Sequence, residues 1–105
     1  MSSVADRAVT MLHLVHHSAS ESPALQDCLS AITPGSGVLL IQNAVYEASA
    51  DELFQNHNEV QFYALEADLQ ARGIDTTQLS GALQIIDYEG FVDLVERHNP
   101  IQSWF

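Results

Sequence analysis

The feature that most narrows what this 105-residue chain can become is its alternation of short apolar runs with amphipathic helical segments. Met11 to His16, Val38 to Ile41, Val60 to Leu65 and Leu83 to Asp87 each read as a strand. The run Val38-Leu39-Leu40-Ile41 is apolar on both faces, as a central parallel strand must be. After the first strand and a polar loop from Ser18 to Ser22, Pro23 is suited to a first helical turn. Leu25, Cys28, Leu29 and Ile32 then fall at i, i+3, i+4 and i+7, which makes one apolar stripe, and Pro34-Gly35-Ser36-Gly37 ends that helix. Gln42 to Ala48 reads as a loop with a short helix that Ala50 to Phe54 continues. Glu66 to Arg72 predicts a helix turning Leu65 and Leu69 inward, with Gly73 as its stop, and Tyr88 to His98 predicts a last helix ended by Pro100. Strands separated by helices at this spacing imply βαβ units. The expected fold is therefore α/β: a small flavodoxin-like open, mostly parallel sheet with helices on both faces. One domain over residues 11–105 suits the length, with residues 1–10 as an N-terminal extension of no assigned role.

In open sheets of this kind, function sits outside the carboxyl ends of the strands. Those ends carry His16-His17, Gln42-Asn43, Leu65 to Asp68 and Asp87-Tyr88. Cys28 is the only cysteine and the only candidate nucleophile. Sulfur exchange needs a thiolate, favoured by exposure or a positive field. Its place on the apolar stripe equally suits a buried thiol that packs as a small hydrophobe. His13 and His17 share a strand face that His16 does not, so these three do not converge on a metal, and no His-Glu-x-x-His pattern or second cysteine exists. Asp68 and Arg72 are spaced for an i,i+4 ion pair, and Glu89, Asp93 and Glu96 share one helical face suited to solvent or a basic partner. Tyr46, Tyr88, Phe91 and Trp104 are candidates for core filling or interface anchoring, and the segment Ile101-Gln102-Ser103-Trp104-Phe105 brings two large aromatics that call for burial against this chain or another.

Charge removes several functions. Fourteen carboxylates stand against three arginines and no lysine, for a net charge of −11. Phosphate neutralisation needs clustered Lys and Arg, so direct nucleic-acid binding is not expected, nor is an anionic membrane surface. A basic partner would be attracted. Lysine-dependent sites, the P-loop and the Schiff base among them, are excluded, and no cofactor is expected. With no apolar run near ~20 residues, no signal-peptide pattern at the start and one cysteine, the expected location is the cytoplasm.

Four strings in order then point further. Met11-Leu12-His13 leads to Ser18; Gly37-Val-Leu-Leu-Ile-Gln-Asn-Ala-Val-Tyr-Glu-Ala48 follows; next comes Tyr63-Ala-Leu-Glu-Ala-Asp-Leu-Gln-Ala-Arg-Gly73; and Ile86-Asp-Tyr-Glu-Gly-Phe-Val-Asp-Leu94 precedes a terminal Trp104. From about Met11 onward this order and spacing resembles the TusB/DsrH family. The resemblance implies a subunit of a heteromeric sulfurtransferase, arranged as a dimer of heterotrimers with TusC/DsrF-like and TusD/DsrE-like sister subunits. Such a complex relays persulfide sulfur toward 2-thiolation of the tRNA wobble uridine, exchanging with TusA-like and TusE/DsrC-like carriers. The alternative is a DsrEFH-type role in dissimilatory sulfur oxidation. The main sulfur-carrying cysteine of such assemblies lies on the DsrE/TusD-like subunit. DsrH-type members also carry one in the first helix, where Cys28 stands, which makes Cys28 the catalytic candidate here and the chain not self-sufficient as an enzyme. One departure stands out: the family's usual Asp-Gly after the second strand is Asn43-Ala44.

A phospho-receiver would need an acidic pair ending the first strand and an aspartate ending the third, where this chain has His16-His17 and Leu65-Glu66, and a flavin site would need a phosphate loop that is missing. A non-catalytic homo-oligomeric binding module on the same fold remains the reading from a different class.

Overall fold

The computed structural model describes residues 11–98 and 100–105, and the expected extension over residues 1–10 lies outside them. In chain order the elements are β1 (Leu12–Val15), α1 (Ala24–Ala31), β2 (Gly37–Leu40), a 3-10 helix (Gln42–Glu47), α2 (Asp51–Gln55), β3 (Gln61–Leu65), α3 (Glu66–Ala71), a 3-10 turn (Thr76–Gln78), β4 (Leu83–Ile86), α4 (Tyr88–Arg97) and β5 (Ile101–Trp104). The four expected strands form within one residue of their apolar runs. A fifth is added: the aromatic segment after Pro100, expected only to seek burial, pairs as β5. The sheet is parallel throughout, in the order β4-β3-β2-β1-β5. It is thus an open α/β sheet of the flavodoxin-like kind, in which the outer neighbour of β1 is the last described strand.

That order dictates where the helices go. From β1 to β4 the chain steps in one direction across the sheet, so right-handed crossovers place every connection on the same face. The step from β4 back past β1 to β5 runs the other way and puts α4 on the opposite face. The core divides accordingly. On the first face Val15, Val38, Leu40, Phe62 and Ala64 from the strands meet Leu25, Cys28, Leu29, Val45, Phe54 and Leu69. Phe54 and Phe62 pack with ring centroids 4.6 Å apart, and truncating either to alanine would cost ~3–5 kcal/mol. On the second face Leu12, Leu39, Tyr63 and Ile86 are covered by Leu94, with Phe91 and Val95 beside it. Helices do lie on both faces, but three helices and a 3-10 helix cover one and a single helix covers the other.

The helix ends follow local chemistry. Asp87 caps α4 by accepting the Gly90 N–H at 2.8 Å. Gly73, at φ +64°, supplies the left-handed turn that stops the chain after α3, with its N–H on the Gln70 carbonyl. Leu65 ends β3 as the third apolar run predicts, but it turns to the second face and does not share the first-face core with Leu69.

Candidate functional site

Cys28 sits in the middle of α1 and is fully buried among the first-face core residues. Leu25, Cys28 and Leu29 do form the expected stripe, and that stripe faces the sheet. Burial pushes the Cys28 thiol up to about 12, because a thiolate there would have no water and no counter-charge. In this conformation the sulfur is neutral and out of reach of a donor.

Polar chemistry gathers instead at the carboxyl ends of β1, β2 and β3. The chain leaves β2 through Gln42, whose φ of +52° is a left-handed conformation that a residue with a Cβ seldom adopts. Two contacts hold it there. Its N–H donates to Asp68 Oδ2 at 2.7 Å, and its side-chain Oε1 lies 3.2 Å from His16 Nδ1. Since a carboxamide oxygen only accepts, His16 Nδ1 carries the proton in that bond. Strained backbone of this kind persists only where surrounding bonds over-determine it.

Asn43 continues the network. Its amide nitrogen donates to Glu21 Oε2 at 2.9 Å and its oxygen accepts Arg72 Nε–H at 2.8 Å. Arg72 also reaches the Asp68 carbonyl at 3.3 Å and the Asp68 carboxylate at 3.6 Å, so the pair expected from the i,i+4 spacing forms and is tied to the 3-10 helix through Gln42 and Asn43. Glu21 accepts from the Ser18 N–H at 3.1 Å and stands 3.7 Å from His17, while Glu47 accepts from the Ala19 N–H at 2.9 Å. The Ser18 N–H and the Asn43 amide are what hold the Glu21 carboxyl below its ordinary range. The Asn43 amide bridges a carboxylate and a guanidinium, which an aspartate at this position could not do.

The result is a rim running His17–Glu21–Asn43–Arg72–Asp68–Gln42–His16. In it the Arg72 guanidinium meets the Asp68 carboxylate directly and Glu21 through Asn43, with its hydrogen bonds directed at Asn43 and Asp68, while Glu47 holds the neighbouring Ala19 N–H. Such a rim is not built to attract an anionic ligand. It positions loops against one another and presents a polar, carboxylate-rich surface.

Beside the rim, β5 lays its aromatics over β1. The Trp104 indole N–H donates to His13 Nδ1 at 3.0 Å, which puts the His13 proton on Nε2, and Phe105 stacks on His16 with centroids 4.4 Å apart. His13 is buried, and burial lowers its pKa. Phe105, Tyr46 and Tyr88 remain mostly exposed, while Phe91, on α4, is half-buried against the second face of the sheet. Glu89, Asp93 and Glu96 are exposed on the outer side of α4. His57 and His98 lie on other elements. Among the described residues no three His, Cys, Asp or Glu side chains converge where a metal could sit, and no helix is long and apolar enough to cross a membrane. One cavity of about 130 Å³ opens at the amino ends of β2 and β3, lined by Leu29, Ile32, His57 and Val60 among others. It is well below the ~300 Å³ that small-molecule sites begin at, and it lies at the wrong end of the sheet.

The carboxyl ends of the strands pointed to His16-His17, Gln42-Asn43 and Asp68 at this rim; Arg72 joins it through the ion pair expected from its spacing, and Asp87, expected at the same end, instead caps α4. Sequence reasoning missed Glu21 and Glu47, which come from a loop and a 3-10 helix, and no spacing in the chain marks them.

The comparisons with known proteins agree with one another. The profile of the family described as "DsrH like protein" matches residues 17–101. The Protein TusB of Buchnera aphidicola subsp. Baizongia pistaciae is 34% identical over 99 residues, covering 90% of this chain and 100% of that protein. The Protein TusB of Escherichia coli K12 is 34% identical over 100 residues with the same coverage. That of Serratia proteamaculans is 37% identical over 86 residues, covering 78% of this chain and 85% of the relative.

Proposed function

Because this chain belongs to the DsrH-like family, we propose that it is a subunit of a heteromeric sulfurtransferase that relays persulfide sulfur toward 2-thiolation of the tRNA wobble uridine. The observation that carries the reading is the correspondence to TusB proteins over 90% of this chain and the whole of those relatives. That correspondence also favours the tRNA branch over sulfur oxidation, since the similar curated proteins carry the TusB name. The partners of this reading are TusC/DsrF-like and TusD/DsrE-like sister subunits, with TusA-like and TusE/DsrC-like carriers meeting the complex rather than this chain alone.

Within the assembly the subunit is architectural. Sulfur transfer proceeds through attack by a thiolate on a persulfide or disulfide sulfur. Cys28 is the only thiol, and it is buried and neutral. The transferred sulfur therefore travels on a cysteine of a sister subunit, and Cys28 fills the seam between α1 and the sheet. The carboxylate-rich rim and the net charge of −11 support the same division of labour, because neither tRNA nor an anionic persulfide is drawn to such a surface.

Native mass spectrometry of the tagged protein, purified without reductant from its own cells, tests this. Two different small partners in equal stoichiometry, with Cys28 unmodified, are expected. A lone chain or a homo-oligomer refutes the relay reading, and one added sulfur mass mapping to Cys28 refutes the architectural role.

A further inference from the structure

Parallel strands are stable where both faces of the sheet are covered, because each strand is apolar on both sides. Here the second face has α4 and nothing else among the described elements. Leu94 seals its centre over Leu12, Leu39 and Tyr63. Toward β5 the cover runs out. Ile101 pairs with Leu12 in register, so its side chain lies on this face, and it is 40% exposed. Leu14, two residues on from Leu12, is only half-buried. On α4 itself Tyr88 and Val92, four residues apart and so on one side of the helix, are 70% and 39% exposed. Around them stand the exposed carboxylates of Glu89, Asp93 and Glu96. The single cation of α4, Arg97, is held 3.0 Å from Asp93.

We propose that α4 and the adjoining β1–β5 flank of the second face form the docking surface for a different protein subunit, one that presents an apolar ridge bordered by Lys and Arg. Charge selects the occupant. A second copy of this chain on a two-fold axis would set the carboxylates of α4 against the same carboxylates, in a molecule already at −11. A basic partner reverses the sign of that interaction and is steered toward the face. Tyr88 and Val92 then fill the apolar centre, and Glu89, Asp93 and Glu96 form the charged border. This rests on the reading of the chain as one subunit of a heteromeric assembly, and it specifies which face that assembly uses.

The test is hydrogen–deuterium exchange on the full chain, alone and co-expressed with the DsrE-like and DsrF-like sister subunits. It is paired with the affinity of the double variant Tyr88→Ser, Val92→Ser and of a control, Gln26→Ser, on the exposed side of α1. The complex is expected to slow exchange across residues 88–97 and 101–104. The double variant should bind at least tenfold more weakly while the control is unchanged, and wild-type affinity should fall as salt rises from 50 to 500 mM. A complex that forms with exchange over 88–97 unaltered overturns this inference and leaves the assembly reading standing. Protection there in the chain alone through self-association, or an affinity indifferent to salt, overturns the basic partner. No complex with either sister overturns both readings together. Because the exchange measurement uses unsubstituted protein, a variant that fails to fold does not blunt the result.

Discussion

Cys28 should be nearly inert in the native protein, and the size of the effect follows from its surroundings. The thiol is pushed from 9.0 up to about 12, and each unit lowers the thiolate fraction tenfold at a given pH. Ionisation alone therefore slows alkylation by about 10³ relative to a thiol of ordinary acidity. Zero exposure adds a second requirement, since the reagent must wait for α1 to lift from the sheet. Iodoacetamide labelling at pH 8, followed by mass spectrometry and referenced to the same chain in concentrated urea, reads this directly. A native rate within about tenfold of the unfolded rate would show the thiol to be accessible and ionised, and would return Cys28 to the list of sulfur carriers. Stability gives an independent reading of the same packing. Cys28→Ala leaves a void of about methyl size, worth ~1 kcal/mol, whereas Cys28→Ser desolvates a hydroxyl whose acceptor is the Ala24 carbonyl one turn back, as Gln26 serves Ser30, and still costs ~1 kcal/mol more than Ala. If Ser proved the milder change in urea titrations, the surroundings would be polar and the account wrong.

Three further outcomes are expected. His13 is buried with its pKa below 6.5; the unfolded chain therefore binds a proton that the native state refuses, so the stability it contributes is complete above about pH 6.5 and drains away as the pH falls toward the folded value. Urea midpoints at pH 7.5 and 5.5 should differ, less so in His13→Gln, and an unchanged slope in that variant would exonerate His13. Arg72→Ala strands Asn43 Oδ1 and unties Asp68 from the rim, for a loss of ~1–2 kcal/mol, and Arg72→Lys should restore little because an ammonium lacks the forked geometry. Gly73→Ala forces a Cβ into φ +64° and should cost ~1 kcal/mol in thermal or urea unfolding, with equal stability counting against the left-handed cap.

The elements that could be read from the chain are those whose pattern is local. Leu25, Cys28, Leu29 and Ile32 announce a helix stripe, and the β2 run announces a strand buried on both sides; the strand formed as read, and the stripe did through Leu29, with Ile32 just past the end of α1 but against the same core. β5 escaped notice for a physical reason. Ile101 and Trp104 are its two apolar residues, three apart, so on a strand they point to opposite faces and show no period of two. The strand exists because β1 offers an unpaired edge, which is a property of strand order and not of any local string. The same holds for the rim. The rule about carboxyl ends singles out Gln42-Asn43, but that Glu21 would accept from Asn43 depends on how the loop after β1 lies across the end of β2. For Cys28 the helical period gave the burial, and the resemblance to a family gave the candidate role; the period is what the geometry agrees with.

The hydrogen bond between Trp104 and His13 joins residues 91 positions apart. During synthesis, β1 through β4 can pair successively, each strand beside the one just made, but among the described strands none other than β5 pairs the second edge of β1, so that edge waits for β5 to leave the ribosome. For that interval Leu12 to Val15 present a free ladder of N–H and C=O groups with apolar side chains on either side, the kind of template on which chains pair wrongly. A chain with this strand order is therefore open to misassembly at β1 until β5 docks there, and the pairing of those four residues closes the hazard.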